Sequence, residues 1–107
     1  MSAPAADATS ALLRALRVAL VGANIGTIER VDSREWASIT FSGARHEITL
    51  RLGGEGAEAA ADAFAAGLDA AEFRLRGHIL ADIVLVGREA VDGGVRLSLE
   101  ALTVEDA

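Results

Sequence analysis

Cysteine, tyrosine and lysine are missing from this chain of 107 residues, which holds a single proline. Without cysteine there is no disulfide, no thiolate nucleophile and no cysteine-bound metal, a composition that suits a reducing compartment and predicts a cytoplasmic protein. Without lysine there is no Schiff base and no phosphate-loop lysine, and without tyrosine no phenolic acid or base. Only four aromatic residues exist (Trp36, Phe41, Phe64 and Phe73), too few for a base-stacking platform. The net charge of −6 is uneven: residues 1–54 carry +1 and residues 55–107 carry −7. An acidic surface repels phosphate backbones, so no nucleic-acid partner is expected.

Long apolar runs are scarce as well. The longest uncharged stretch near the N-terminus, Val18 to Ile28, is too short to cross a bilayer, and Asp7 with the early arginines does not fit a secretory signal. No membrane contact is expected. No G-x-S-x-G, H-E-x-x-H or calcium-loop spacing occurs, and the two histidines have no carboxylate pattern around them that spells a metal site. No catalytic residue, metal or cofactor is expected, which points away from an enzyme. One stretch, Gly54-Glu55-Gly56-Ala57-Glu58-Ala59, matches G-x-G-x-x-A between a strand and a helix. Its two glutamates stand where a pyrophosphate's charge would go, so it reads as a glycine turn opening a helix.

Hydrophobic residues make up 51% of the chain, much of it alanine. That supports one small-residue core and a single α+β domain over residues 1–107. Arginine used in place of lysine, with abundant alanine and glycine, points to a GC-rich, bacterial genome.

Leu12, Leu16 and Leu20, with Leu13 beside them, have helical spacing, and Gly22, Asn24 and Gly26 stop the pattern. This helix starts either at Pro4 or at a Thr9 or Ser10 cap, the latter leaving residues 1–8 as a flexible segment. Thr27 to Val31 is a weak strand candidate, and Asp32-Ser33-Arg34 is turn-like. Trp36 to Ser42 and Arg45 to Leu52 then alternate apolar and polar residues around Gly43-Ala44, which suits a type II′ hairpin turn. A second helix is expected from about Gly56 to Ala66. A second hairpin turns at Asp92-Gly93, which places Ala90 opposite Val95, Glu89 opposite Arg96, Val86 opposite Leu99, Val84 opposite Ala101 and Asp82 opposite Thr103.

The run His78 to Gly87 is broken only by Asp82. A strand this apolar is expected to be covered on both faces. Placing the last strand between those at Leu52 and His78 makes the second helix an ordinary right-handed crossover. The topology then resembles a ferredoxin-like sandwich, circularly permuted, with two helices on one face of a mainly antiparallel sheet of four or five strands. The uncovered face is expected to carry Trp36, Ile83, Leu85 and Leu102, with Arg51 as a cation–π neighbour of Trp36. Such a face predicts a homo-oligomer, most simply a dimer, or another protein contact. The competing reading is a small-ligand-binding protein or small enzyme whose anionic ligand is held by His46, Arg74, Arg76, His78 and Asp82, the polar minority around the apolar strand.

Overall fold

The computed structural model describes residues 4–20, 26–68, 73 and 75–105, with the side chains of residues 4–6 and 20 outside that description. Two helices and four strands alternate as α1 (Pro4–Leu20), β1 (Gly26–Ala37), β2 (Ser42–Gly53), α2 (Ala57–Leu68), β3 (His78–Val91) and β4 (Gly94–Glu105). The strands form one antiparallel sheet in the order β1-β2-β4-β3. The last strand therefore lies inside the sheet, between β2 and β3, and α2 carries the chain across it. Strands of 12 to 14 residues give a body measuring 47 × 22 × 22 Å.

Both helices pack on one face of the sheet. Along α1, Ala8, Leu12 and Leu16 recur every four residues and are buried, with Ala11 beside them. Along α2, Ala57, Ala61 and Leu68 are buried, and the small size of the two alanines lets the helix axis approach the sheet closely. Gly54 and Gly56, at φ of 81° and 84°, make the turn that opens α2, which accounts for the glycines of the G-x-G-x-x-A stretch. Beneath the helices lie Ile48, Leu50 and Leu52 of β2 and Val95, Leu97 and Leu99 of β4, each almost wholly buried. Removing each such side chain from water contributes roughly 1.5–3 kcal/mol. The alternate residues of β2 from Arg45 to Arg51 and of β4 from Arg96 to Glu100 are charged or polar, as expected of antiparallel strands with one wet face, and Leu102 and Val104 continue that face as apolar residues.

The first hairpin differs from expectation. Its turn is the four-residue loop Ser38 to Phe41, and β1 runs through Asp32-Ser33-Arg34 without turning. The loop closes through Ser38 N–H donating to the Phe41 carbonyl at 2.7 Å and Phe41 N–H donating to Ser38 Oγ at 3.1 Å. Gly43 is a strand residue: a Cβ there would lie 2.0 Å from the Thr103 carbonyl oxygen and 3.0 Å from the Trp36 ring. With this register β1 covers the edge of β2 from Leu52 to Ser42, a longer ladder than a turn at Gly43 permits. Ile39 and Phe41 are left exposed at the hairpin tip.

The second hairpin turns at Asp92-Gly93, and Ala90 faces Val95 and Glu89 faces Arg96, as read from the sequence. Two bulges then intervene, at Val86 and Ala81, each adding one residue to β3 without a partner on β4. Leu85 therefore faces Leu99, Ile83 faces Ala101 and Leu80 faces Thr103. Ile83 and Leu85, expected on the uncovered face, pack against the core instead. Val84 and Val86 turn outward and are exposed. The strand β3 is also at the rim of the sheet, so its apolar run does not mark a strand covered on both faces. The two bulges explain the run: a strict period of two is broken twice, and apolar residues fall on the inner face at uneven spacing.

Candidate functional site

The face of the sheet away from the helices is bare, and its residues form rows that cross all four strands. In the described register one row is Trp36, Gly43, Val104 and Ile79. The next is Arg34, Arg45, Leu102 and Asp82, followed by Asp32, Glu47, Glu100 and Val84. Beyond these come Arg30, Thr49 and Ser98 with the Val86 bulge, and then Thr27, Arg51, Arg96 and Glu89. Two arginines thus stand directly opposite one another, and beside them three carboxylates stand directly opposite in turn. Successive rows are about 6.6 Å apart along the strands. A shallow groove of about 640 Å³ runs over the two middle rows.

Like charges placed opposite one another on a sheet are unfavourable, and the protein treats its two arginine pairs differently. Arg96 is held by Glu29 at 2.9 Å and Glu89 at 2.9 Å, and Arg51 donates to the Asp92 carbonyl. Arg34 and Arg45 form no ion pair with any described residue, nor do Glu47 and Glu100. Of the acids in the groove, Asp32 is neutralised by Arg30 at 2.8 Å. Trp36 lies over Gly43, and its indole N–H is buried without a hydrogen-bond partner.

On the opposite face a hydrogen-bonded chain links three strands and α1. Thr103 Oγ1 donates to the Ala44 carbonyl at 3.3 Å, so it accepts from His46 Nε2 at 2.9 Å. That leaves His46 Nδ1 to accept from Ser33 Oγ at 2.7 Å, and Thr9 lies 2.6 Å from the same hydroxyl. His46 is 1% exposed, and burial, with the neighbouring His78 second, holds its pKa below the usual 6.5. A serine against a neutral histidine has the outline of an activated nucleophile. The third member here is a threonine that passes its hydrogen bond to a carbonyl. It offers no negative charge to stabilise an imidazolium that burial already disfavours. The chain's chemistry is to satisfy a buried ring and pin α1 to the sheet.

The four described residues among those expected around an anionic ligand are divided between the two faces of the sheet and the turn before β3. His46 and His78 belong to the helix-covered face, and Asp82 belongs to the bare one, with the sheet between them. Asp82 faces Leu102, while Thr103, its expected neighbour, is engaged by His46. Arg76 is exposed in the turn before β3, and Arg74 lies outside the described residues. Of the expected contact residues, Trp36, Arg51 and Leu102 are on the bare face, but Trp36 and Arg51 sit at opposite ends of it, so they form no cation–π pair. Ile83 and Leu85 are absent from that face for the reason given above. Arg34, Arg45, Glu47 and Glu100 were missed, although the outward period of β2 (Arg45, Glu47, Thr49, Arg51) is plain in the sequence. Their grouping needed the register of β1, which depended on locating the turn.

Among the described residues no three histidine or carboxylate side chains lie close enough to hold a metal ion, and no helix is long and apolar enough to cross a membrane. No family model matches the chain, and no curated protein matches it. Among solved structures, the crystal structure of the type 4 fimbrial biogenesis protein PilO from Pseudomonas aeruginosa is similar, with a TM-score of 0.50 and 17% identity, over 95% of this chain and 70% of that one. At that identity the likeness is one of fold.

Proposed function

We propose that this chain is a non-catalytic protein-interaction module and that the bare sheet face is its binding surface. The observation that carries this reading is the unmatched middle of that face: opposed arginines beside opposed carboxylates, without ion pairs among themselves, flanked by exposed Ile79, Val84 and Val86. A face that is merely solvated carries interspersed charge with no preference for opposed like signs. A face that meets another protein sets its charges against that partner's and tolerates unfavourable neighbours until it binds. A solved structure of similar fold is that of a protein named for type 4 fimbrial biogenesis, which is in keeping with a role in assembly. The element order, read as a circularly permuted ferredoxin-like sandwich, leaves the same face bare.

Site-specific photocrosslinking in the producing cell tests this reading. A photoreactive residue at Val84 or Glu100, on the bare face, is expected to trap a discrete protein adduct. One at Glu58 or Arg14, on the exposed sides of the helices, is expected to trap none. Equal adducts from both sides, or none from either, would remove the bare face as the binding surface.

A further inference from the structure

We propose that the bare face is covered by a second copy of this chain, related by a two-fold axis lying in the interface and running across the strands. The axis passes between the Arg34–Arg45 row and the Asp32–Glu47–Glu100 row. This inference rests on the reading of that face as the binding surface and names its occupant.

The symmetry follows from the charge rows. An axis parallel to the strands keeps each row at its own height and reverses the strand order, so Arg34 would meet Asp82 but Glu47 of each copy would meet Glu100 of the other. An axis perpendicular to the sheet sets two molecules side by side and buries neither bare face. An axis across the strands exchanges heights. It lays Arg34 and Arg45 of each copy on Asp32 and Glu47 of the other, twice over, because a two-fold contact is self-complementary, while Leu102 meets Glu100 and Asp82 meets Val84. Facing sheets stand about 10 Å apart, a gap that an extended arginine and glutamate meet across. Salt bridges missing within one copy are thereby made between two.

The outer rows agree with the same axis. The Trp36 row of one copy lands on the Arg30 row of the other, bringing the indole to a guanidinium and Ile79 to Val86. Four strands spaced about 4.8 Å apart and ten residues rising about 3.3 Å each give a face of roughly 600 Å². Accessible surface on standing side chains exceeds that flat area and approaches the ~800 Å² per partner of a standard interface. Arg51 and Arg96, which this axis leaves at the periphery, are satisfied within the chain, and Arg30, which it carries to the indole, keeps its pair with Asp32.

Charge reversal of whole rows tests the geometry. The full chain, Arg34→Glu/Arg45→Glu and Asp32→Arg/Glu47→Arg are each followed by sedimentation equilibrium into the high micromolar range. Native mass spectrometry follows an equimolar mixture of the two variants. The unaltered chain is expected to dimerise, and each variant alone to do so at least about tenfold more weakly, because like rows now meet. The mixture is expected to form a heterodimer at least as strong as the original dimer, since along β1 and β2 one copy presents acids in both rows and the other arginines. This recovery also shows that both variants are folded. A monomeric unaltered chain, variants that dimerise as well as it does, or a mixture without heterodimer each overturns the proposed pairing. If Val84 then photocrosslinks to a different protein, the bare face remains a binding surface and only its occupant is wrong.

Discussion

His46 shows how one buried polar side chain can tie a fold together and limit its pH range. Its ring touches Thr9 of α1, Ser33 of β1 and Thr103 of β4, with His78 of β3 nearby, and no carboxylate is among these neighbours. The folded state therefore binds a proton at His46 less readily than the unfolded chain, whose histidine titrates near 6.5. Where the unfolded state binds more protons, stability falls as pH falls. Stability from this residue is thus complete above about pH 6.5 and is lost as pH drops below it, by no more than about 1.4 kcal/mol per pH unit for one group. Urea unfolding at pH 7.5 and pH 5.5 measures this. The acid-side loss should shrink in His46→Leu, and an equal loss in both proteins removes His46 as the cause.

At the scale of elements, β3 is where local pattern and actual geometry part. Its bulges at Val86 and Ala81 each reset the alternation, so Leu80, Ile83, Leu85 and Arg88 all point to the helix side. Arg88 there reaches α2 and bonds Asp62 at 2.7 Å and Glu58 at 3.1 Å. Such exposed pairs orient the helix more than they stabilise it. The bulge makes a specific prediction. Deleting Val86 removes a residue that has no partner, and every other β3 side chain keeps its face. Deleting Val84 removes a paired residue and turns Ile83 outward. Loss of Val86 is expected to cost within about 1 kcal/mol, and loss of Val84 at least about 2 kcal/mol through exposed core side chains. Thermal unfolding of the two deletions decides it, and equal costs would mean that the bulge is not where the register places it.

For the molecule as a whole, stability is concentrated in the middle of the sheet. The strands β2 and β4 are hydrogen-bonded on both sides and carry Ile48, Leu50, Leu52, Val95, Leu97 and Leu99, while β1 and β3 have one open edge each. Local opening is easiest where few buried contacts hold a segment. Amide exchange in the monomer should be slowest in β2 and β4 and faster along β1 and β3. Slowest exchange in β3 would contradict the rim position of that strand. The open edges also need protection from edge-to-edge pairing, which the charges of β1 and the bulges of β3 supply.

Much of this architecture was legible in the residues alone. The leucine spacing of α1, the alanine-rich α2, the Asp92-Gly93 turn and the last strand's place inside the sheet all follow from periodicity, turn chemistry and crossover handedness. Those signals are local, or depend on one chain-wide rule. What escaped was whatever depends on counting residues across a sheet: the turn at Ser38 to Phe41, the bulges of β3, and with them the charge rows of the bare face. A one-residue change of register moves a side chain to the other face, and the sequence around Gly43 satisfies two registers almost equally well. Only the tertiary structure chooses between them, because the choice rests on backbone packing of β2 against β4 at Gly43 and on the longer ladder that β1 gains. That choice places Arg34 opposite Arg45, and the bulge at Ala81 separates Asp82 from the histidines by the thickness of the sheet.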